Sequence, residues 1–286
     1  MGELYGLPGA VGSTDVKLIQ IDRDLQDQLS DFFALYEDQF RQGVDETVPF
    51  DGGHNPDDNQ FQSLPLTIEI QQITEQISRG AIGRDVYDPR VAPPEGFRAL
   101  AWNVGAGAQS RILLQNFTRA QALSRRTAII FDGNTFTRMQ EPGLLIGTKI
   151  DAIVENGQVY FKRFNNLKQI FDMFDIYREA TDGDIRAFAH NPIIQITNID
   201  EFSENANRTN RKLIFSVLQS GVLDHRTAQE IVALAATVDV DFTVEGDRLV
   251  LEPSRELTKQ LRFLDNSIYR SPISNERWMA NSRRRL

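Results

Sequence analysis

The stretch GLLIGTKIDAIVENGQVYFKRFNNLKQIFDMFDIY, residues 143–177, decides the fold class. Lys149–Val154 and Gln158–Lys162 read as two short strands. Between them stands Asn156-Gly157, a pair that accepts the positive φ angles of a type I′ turn, so the two runs read as a hairpin. After Lys162 the apolar spacing becomes helical. Leu167, Ile170, Phe171, Phe174 and Tyr177 fall on one helical face, with Asn165 or Asn166 as N-cap. An antiparallel hairpin running straight into a helix belongs to an α+β protein, not to a doubly wound parallel sheet.

The pattern extends both ways. Upstream, Phe97–Val104 and Arg111–Phe117 read as strands around the small-residue turn GAGAQ. Ala128–Phe131 and Thr135–Arg138 read as strands around Asp132-Gly133-Asn134. Downstream, helices are expected near 184–189, 209–220, 226–237, 254–264 and 275–284, with one more hairpin at Phe242–Leu251. The N-terminal part reads as a short strand, Val16 to Ile21, and a helix with Leu25, Leu29, Phe32, Phe33, Tyr36 and Phe40 on its apolar face. The Gly-, Pro- and Asp-rich loop of residues 49–60 follows, then a strand or helix at Leu66–Ile77. Pro93-Pro94 marks the expected domain boundary. The expectation is an acidic N-terminal α/β domain over 1–96, then an α+β domain over 97–286 of antiparallel hairpins followed by helices.

Composition narrows the function classes. The 286 residues are 41% hydrophobic and 25% charged, the balance of a globular chain able to bury a core. Cysteine is absent, which removes disulfides, thiolate metal sites and cysteine nucleophiles together. The start, MGELYGLPGAVGS, has neither the basic end nor the apolar run of a signal peptide, and Gly6 stands where a myristoylation motif wants Ser or Thr. A soluble, cytoplasmic protein is expected. The net charge of −9 is unevenly spread. Residues 1–97 hold 18 acids and 6 bases, whereas the rest holds 22 acids and 25 bases, so a polyanion could meet the second part.

Residues 143–177 and the distal run ELTKQLRFLDNSIYRSPISNERWMANSRRR resemble the KwaB-like family of the Kiwa antiphage defence system. The shared features are the strand Lys149–Ile153, the Asn-Gly hairpin and the Leu/Ile/Phe helix after it. At the far end they are a leucine-rich helix running into Asp265-Asn266, then Ser271 and a terminal basic helix. The resemblance covers roughly residues 97–286. It implies a cytoplasmic DNA-binding effector that interferes with phage DNA without enzymatic activity. It further implies a small KwaA-like membrane protein of the same system as partner, through which the effector is recruited to the inner membrane. A homo-oligomer is expected, and no cofactor.

Each candidate chemistry has a plain structural counterpart. A restriction-like nuclease needs two carboxylates for Mg²⁺ and a lysine beside the attacking water. Asp151 and Lys162 lie on paired strands, but Tyr160 occupies the second carboxylate position, so Asp151 reads better as a structural hydrogen-bonding residue. His54, His190 and His225 lack a second histidine at ligand spacing and read as surface or capping residues. Gly105-Ala106-Gly107-Ala108 lacks the Gly-Lys-Ser/Thr of a phosphate loop and reads as a turn. The helix–turn–helix at 209–237 with the hairpin at 242–251 has the outline of a winged helix, yet its second helix carries little positive charge and reads as buried. The basic clusters remain: Arg125-Arg126, Lys162-Arg163 with Lys168, Arg208 with Arg211-Lys212, and Arg283-Arg284-Arg285. Lys162, Arg163 and Lys168 are expected to converge at a helix start and to hold backbone phosphate, with Phe161 and Phe164 interleaved. The leading expectation is a non-enzymatic DNA-binding effector with little sequence preference. A metal-dependent nuclease and a protein-interaction scaffold are the alternatives.

Overall fold

The computed structural model describes residues 2–52, 54–79, 85–105, 110–123, 128–132, 135–139 and 141–280, with the backbone alone for Ile129–Asp132. The chain divides into two compact units, one of residues 1–50 and 56–173, the other of 51–55 and 174–286.

The first unit is built in chain order from β1 (Gly2–Pro8), β2 (Lys17–Ile19), α1 (Arg23–Arg41), β3 (Glu46–Pro49), β4 (Gln60–Pro65), α2 (Ile68–Ser78), β5 (Phe97–Val104), β6 (Arg111–Asn116), β7 (Ala122–Leu123), β8 (Ile129–Asp132), β9 (Thr135–Arg138), β10 (Gly143–Leu144), β11 (Ala152–Glu155), β12 (Gln158–Phe161) and α3 (Phe164–Ile170). Eight strands form one sheet in the order β2-β1-β5-β6-β11-β12-β4-β3. Every neighbour pair in it is antiparallel except β3–β4. The β11–β12 turn has Asn156 at φ 51° and Gly157 at φ 73°, the type I′ signature its sequence called for.

Alternation along the strands gives the sheet two apolar faces. Leu4, Leu100, Trp102, Leu113, Ile153 and Phe61 meet α1 on one face, where Phe33 stacks on Trp102 at 5.0 Å and Phe40 on Phe61 at 4.8 Å. Ala99, Ala101, Leu114, Ala152 and Phe161 point the other way, towards α3. A register shift at Leu7/Pro8 redirects Arg98. Its buried guanidinium donates to the carbonyls of Ile170, Pro8 and Ser13 and lies 3.5 Å from Glu69 of α2. Burial pushes the Glu69 carboxyl up, against the N–H groups of Asp172 and Gly12 and the Arg98 charge, which pull it down. Burial likewise lowers Arg98.

The second unit comprises α4 (Asp182–Ala189), β13 (Ile194–Gln195), α5 (Ile199–Asn205), α6 (Arg208–Ser220), α7 (Ala228–Ala236), β14 (Thr243–Glu245), β15 (Arg248–Val250), α8 (Leu257–Leu264), β16 (Ile268–Arg270) and β17 (Arg277–Met279). Phe188, Phe202, Ile214, Phe215, Ile231, Leu249, Leu257 and Leu261 form its core. The Arg178 guanidinium sits 4.6 Å from the ring centres of both Phe174 and Phe215. Asp184, which caps α4 through Thr181, hydrogen-bonds that guanidinium, and this contact holds its carboxyl well below the usual range.

The fold is α+β, as the sequence implied, and five expectations are corrected. The boundary at Pro93-Pro94 separates no compact unit, because β1 pairs with β5 and β4 with β12 across it. The α3 helix begins after Arg163 and ends at Ile170, because Asn166 is engaged with Asp151 rather than capping, and Phe174 beyond it is 53% exposed. The terminal segment expected as a helix holds β17 instead, paired with β16 through Tyr269↔Trp278. In α1 only Leu29, Phe33 and Phe40 of the apolar set are buried, and Leu25 and Phe32 face outwards. In α7 Ala228, Ile231 and Ala235 are buried, whereas Leu234 is 47% exposed.

Candidate nucleic-acid interface

The antiparallel register brings three chain segments to one end of the large sheet. Ala152 faces both Leu114 and Phe161, so the exit of β6, the entry of β11 and the exit of β12 lie side by side. Asp151 knots them together. It is buried, one oxygen accepts the Asn116 N–H at 2.8 Å, and the other accepts the Asn166 amide at 2.7 Å. The Asn116 side chain in turn donates to the Asn166 carbonyl at 3.1 Å. A carboxylate so occupied positions loops, as a structural residue does.

Exposed cations follow directly from each knotted segment. Arg119 lies three residues beyond Asn116, Lys149 two before Asp151, and Arg163 and Lys168 flank Asn166. Gln121 bonds Leu145 and Gln115 bonds Gly147, which holds the Arg119 turn against the approach to Lys149. Among the described residues none of these four cations has a carboxylate partner. Lys168 rests its ammonium 5.7 Å from the Phe164 ring. The β3–β4 side of the same end carries Glu46, Asp57 and Asp58, so the basic strip is confined to the β6–β11–α3 side.

Lys162 does not join that strip. Its ammonium lies over the Phe40 and Phe61 rings on the α1 face, at 5.7 and 5.6 Å. Phe161 and Phe164 pack with Phe50 inside the opposite layer and offer no stacking surface. With seven residues, α3 is also too short to supply an anion site from its N-terminus.

The model of the family described as "Kiwa protein KwaB-like" matches residues 108–274, more than half of the chain. The chain belongs to the KwaB-like family. It is therefore a component of Kiwa antiphage defence. No curated protein and no solved structure matches it. The KwaB-like span contains the whole Asp151 knot and all four cations around it.

The other basic residues singled out from the sequence disperse. Arg125, Arg126, Arg283, Arg284 and Arg285 lie outside the described residues. Arg208 forms an exposed pair with Glu179 at 2.5 Å. Lys212 lies 5.9 Å from the Tyr177 ring. The Arg211 guanidinium is spent on the Ala206, Ala180 and Ser203 carbonyls and on Asp182. Of the arginines between 98 and 138, Arg98 is buried and Arg111 pairs with Glu37 at 2.9 Å, at the other end of the sheet from Arg119. His190 closes α4, with Nδ1 2.5 Å from the Arg186 carbonyl. His225 ends the short 3₁₀ turn before α7, and His54 lies in the loop after β3. The exposed face of α7 presents Gln229, Glu230, Ala233 and Leu234 and no cation. Arg119 and Lys149 were not legible as site residues, because each is a lone base in its own segment.

Proposed function

We propose that this Kiwa component is a DNA-binding effector that grips backbone phosphate without reading sequence and so impedes replication or transcription of phage DNA. The observation that carries this reading is the convergence of Arg119, Lys149, Arg163 and Lys168 at one sheet end, none of them paired with a carboxylate among the described residues. Phosphate contacts fix position but carry no base information, so such a strip binds unrelated sequences alike. The reading is non-catalytic: both oxygens of Asp151, the acid a restriction-like site would use, are taken by amides. A small membrane protein of the same system is its proposed partner, recruiting a cytoplasmic homo-oligomer to the inner membrane.

The test is titration of labelled duplexes of two unrelated sequences, at two salt concentrations, with and without Mg²⁺. Equal affinities that fall steeply with salt, and intact DNA, are expected. Metal-dependent cleavage lost in Asp151→Asn would replace this reading with a nuclease. No binding at low salt would leave a protein scaffold.

A further inference from the structure

The α1 helix buries one face and leaves another without a partner. Leu25, Phe32 and Leu35 are 40%, 47% and 52% exposed, although Leu29, Phe33 and Phe40 on the adjoining face are almost fully covered. The exposed set is ordered. Leu25, Gln28, Phe32, Leu35 and Gln39 recur at alternating spacings of three and four, the a and d positions of two heptads. No charge interrupts this stripe. Immediately beside it, Asp24, Asp31 and Asp38 recur every seventh residue and occupy each g position, all exposed. The e positions on the other flank, Leu29 and Tyr36, lean into the unit's own core.

We infer that this stripe docks an amphipathic helix of a second protein, apolar at its own a and d positions and lined with Lys or Arg along the edge that meets the aspartates. Apolar knobs at a and d need a matching helix to leave water, and residues flanking the seam choose the partner by charge. A row of three carboxylates selects a basic edge. It also disfavours a second copy of α1 lying antiparallel, because the two aspartate rows would then face each other. The surface is separate from the basic strip at the sheet end, so the docking can fail while DNA binding stands, and the reverse.

The experiment uses the full chain and two synthetic helical peptides of about three heptads, with Leu at a and d and either Lys or Glu at e and g. The Lys peptide binds, the Glu peptide does not, and raising salt weakens the complex. The double variant Phe32→Ser/Leu35→Ser loses binding on the order of 30-fold, the scale of removing one central apolar anchor. The triple variant Asp24→Lys/Asp31→Lys/Asp38→Lys reverses the preference and takes the Glu peptide. All five positions are exposed, so thermal unfolding stays close to that of the parent, and the reversal cannot arise from misfolding. Equal binding of the two peptides, no binding of either, or unchanged binding in the serine variant would overturn the inference. So would concentration-dependent self-association that disappears in the serine variant, which would assign the stripe to a second copy.

Discussion

Replacing Arg119, Lys149, Arg163 and Lys168 together by glutamine turns the proposed interface into a quantity that can be counted. Each phosphate contact releases condensed counterions and contributes about 0.9 to the slope of log affinity against log salt. Four contacts contribute roughly 3.6, so between 50 and 200 mM salt the parent loses on the order of 100-fold more affinity than the variant. The four side chains are exposed and among the described residues unpaired with carboxylates, so each substitution changes the stability of the fold by about 0.5 kcal/mol at most, apart from up to ~1 kcal/mol for the Lys168 cation over Phe164. Fluorescence anisotropy with two unrelated duplexes gives the slope, and thermal unfolding confirms the fold. Single glutamine variants each lower the slope by about 0.9 to the same extent on both duplexes. A quadruple variant that stays folded and keeps the parent's slope would refute the assignment of the site. A loss confined to one duplex would refute the backbone-only mode.

Lys162→Met separates the strip from its neighbour. It costs up to ~1 kcal/mol by removing the cation held over Phe40 and Phe61, measured by urea unfolding, and leaves the salt slope unchanged. Asp184→Asn destabilises the second unit by about 2 kcal/mol near neutral pH, since it removes both a helix cap and the charge-assisted bond to Arg178. The Asp184 carboxyl is depressed in the folded state, so its stabilisation is present above its ordinary value of 3.8 and is lost as pH falls through the lower folded value. The gap between parent and variant in thermal unfolding therefore closes in acid, and a gap independent of pH would contradict the Arg178 contact. Gly6→Ala places a Cβ 2.4 Å from the Phe97 ring and costs about 1–3 kcal/mol as an overpacked core, whereas an unchanged melting temperature would show that β1 is not seated against β5.

What could be read from the sequence is what neighbouring residues decide among themselves. The β11–β12 hairpin follows from Asn156-Gly157. Distant pairings were opaque. The strand β1 carries Gly2, Gly6 and Pro8, poor strand formers, and pairs because glycine lets the Trp102 and Phe97 rings close over it. The Leu25–Phe32 stripe resembles core at helical spacing, and only the direction of the sheet decides that Leu29, Phe33 and Phe40 are buried instead.

The basic site obeys the same division, and it explains why clusters in sequence misled. Lys162 and Arg163 form the two-residue link between the end of β12 and the start of α3, and although neighbours they part there. Lys162 goes to the aromatic rings of the α1 layer and Arg163 to the surface. In α6, Arg208 and Arg211 share a turn but are consumed by Glu179, Asp182 and backbone carbonyls within the unit, and Lys212 lies by the Tyr177 ring. Arg119, Lys149, Arg163 and Lys168 belong to three separate segments, and antiparallel register lays the ends of those segments together. A phosphate strip without base contacts needs only charge at the right spacing, and strand ends supply that spacing whatever the sequence separation. Asp151, the acid first weighed as catalytic, is what holds those ends in place.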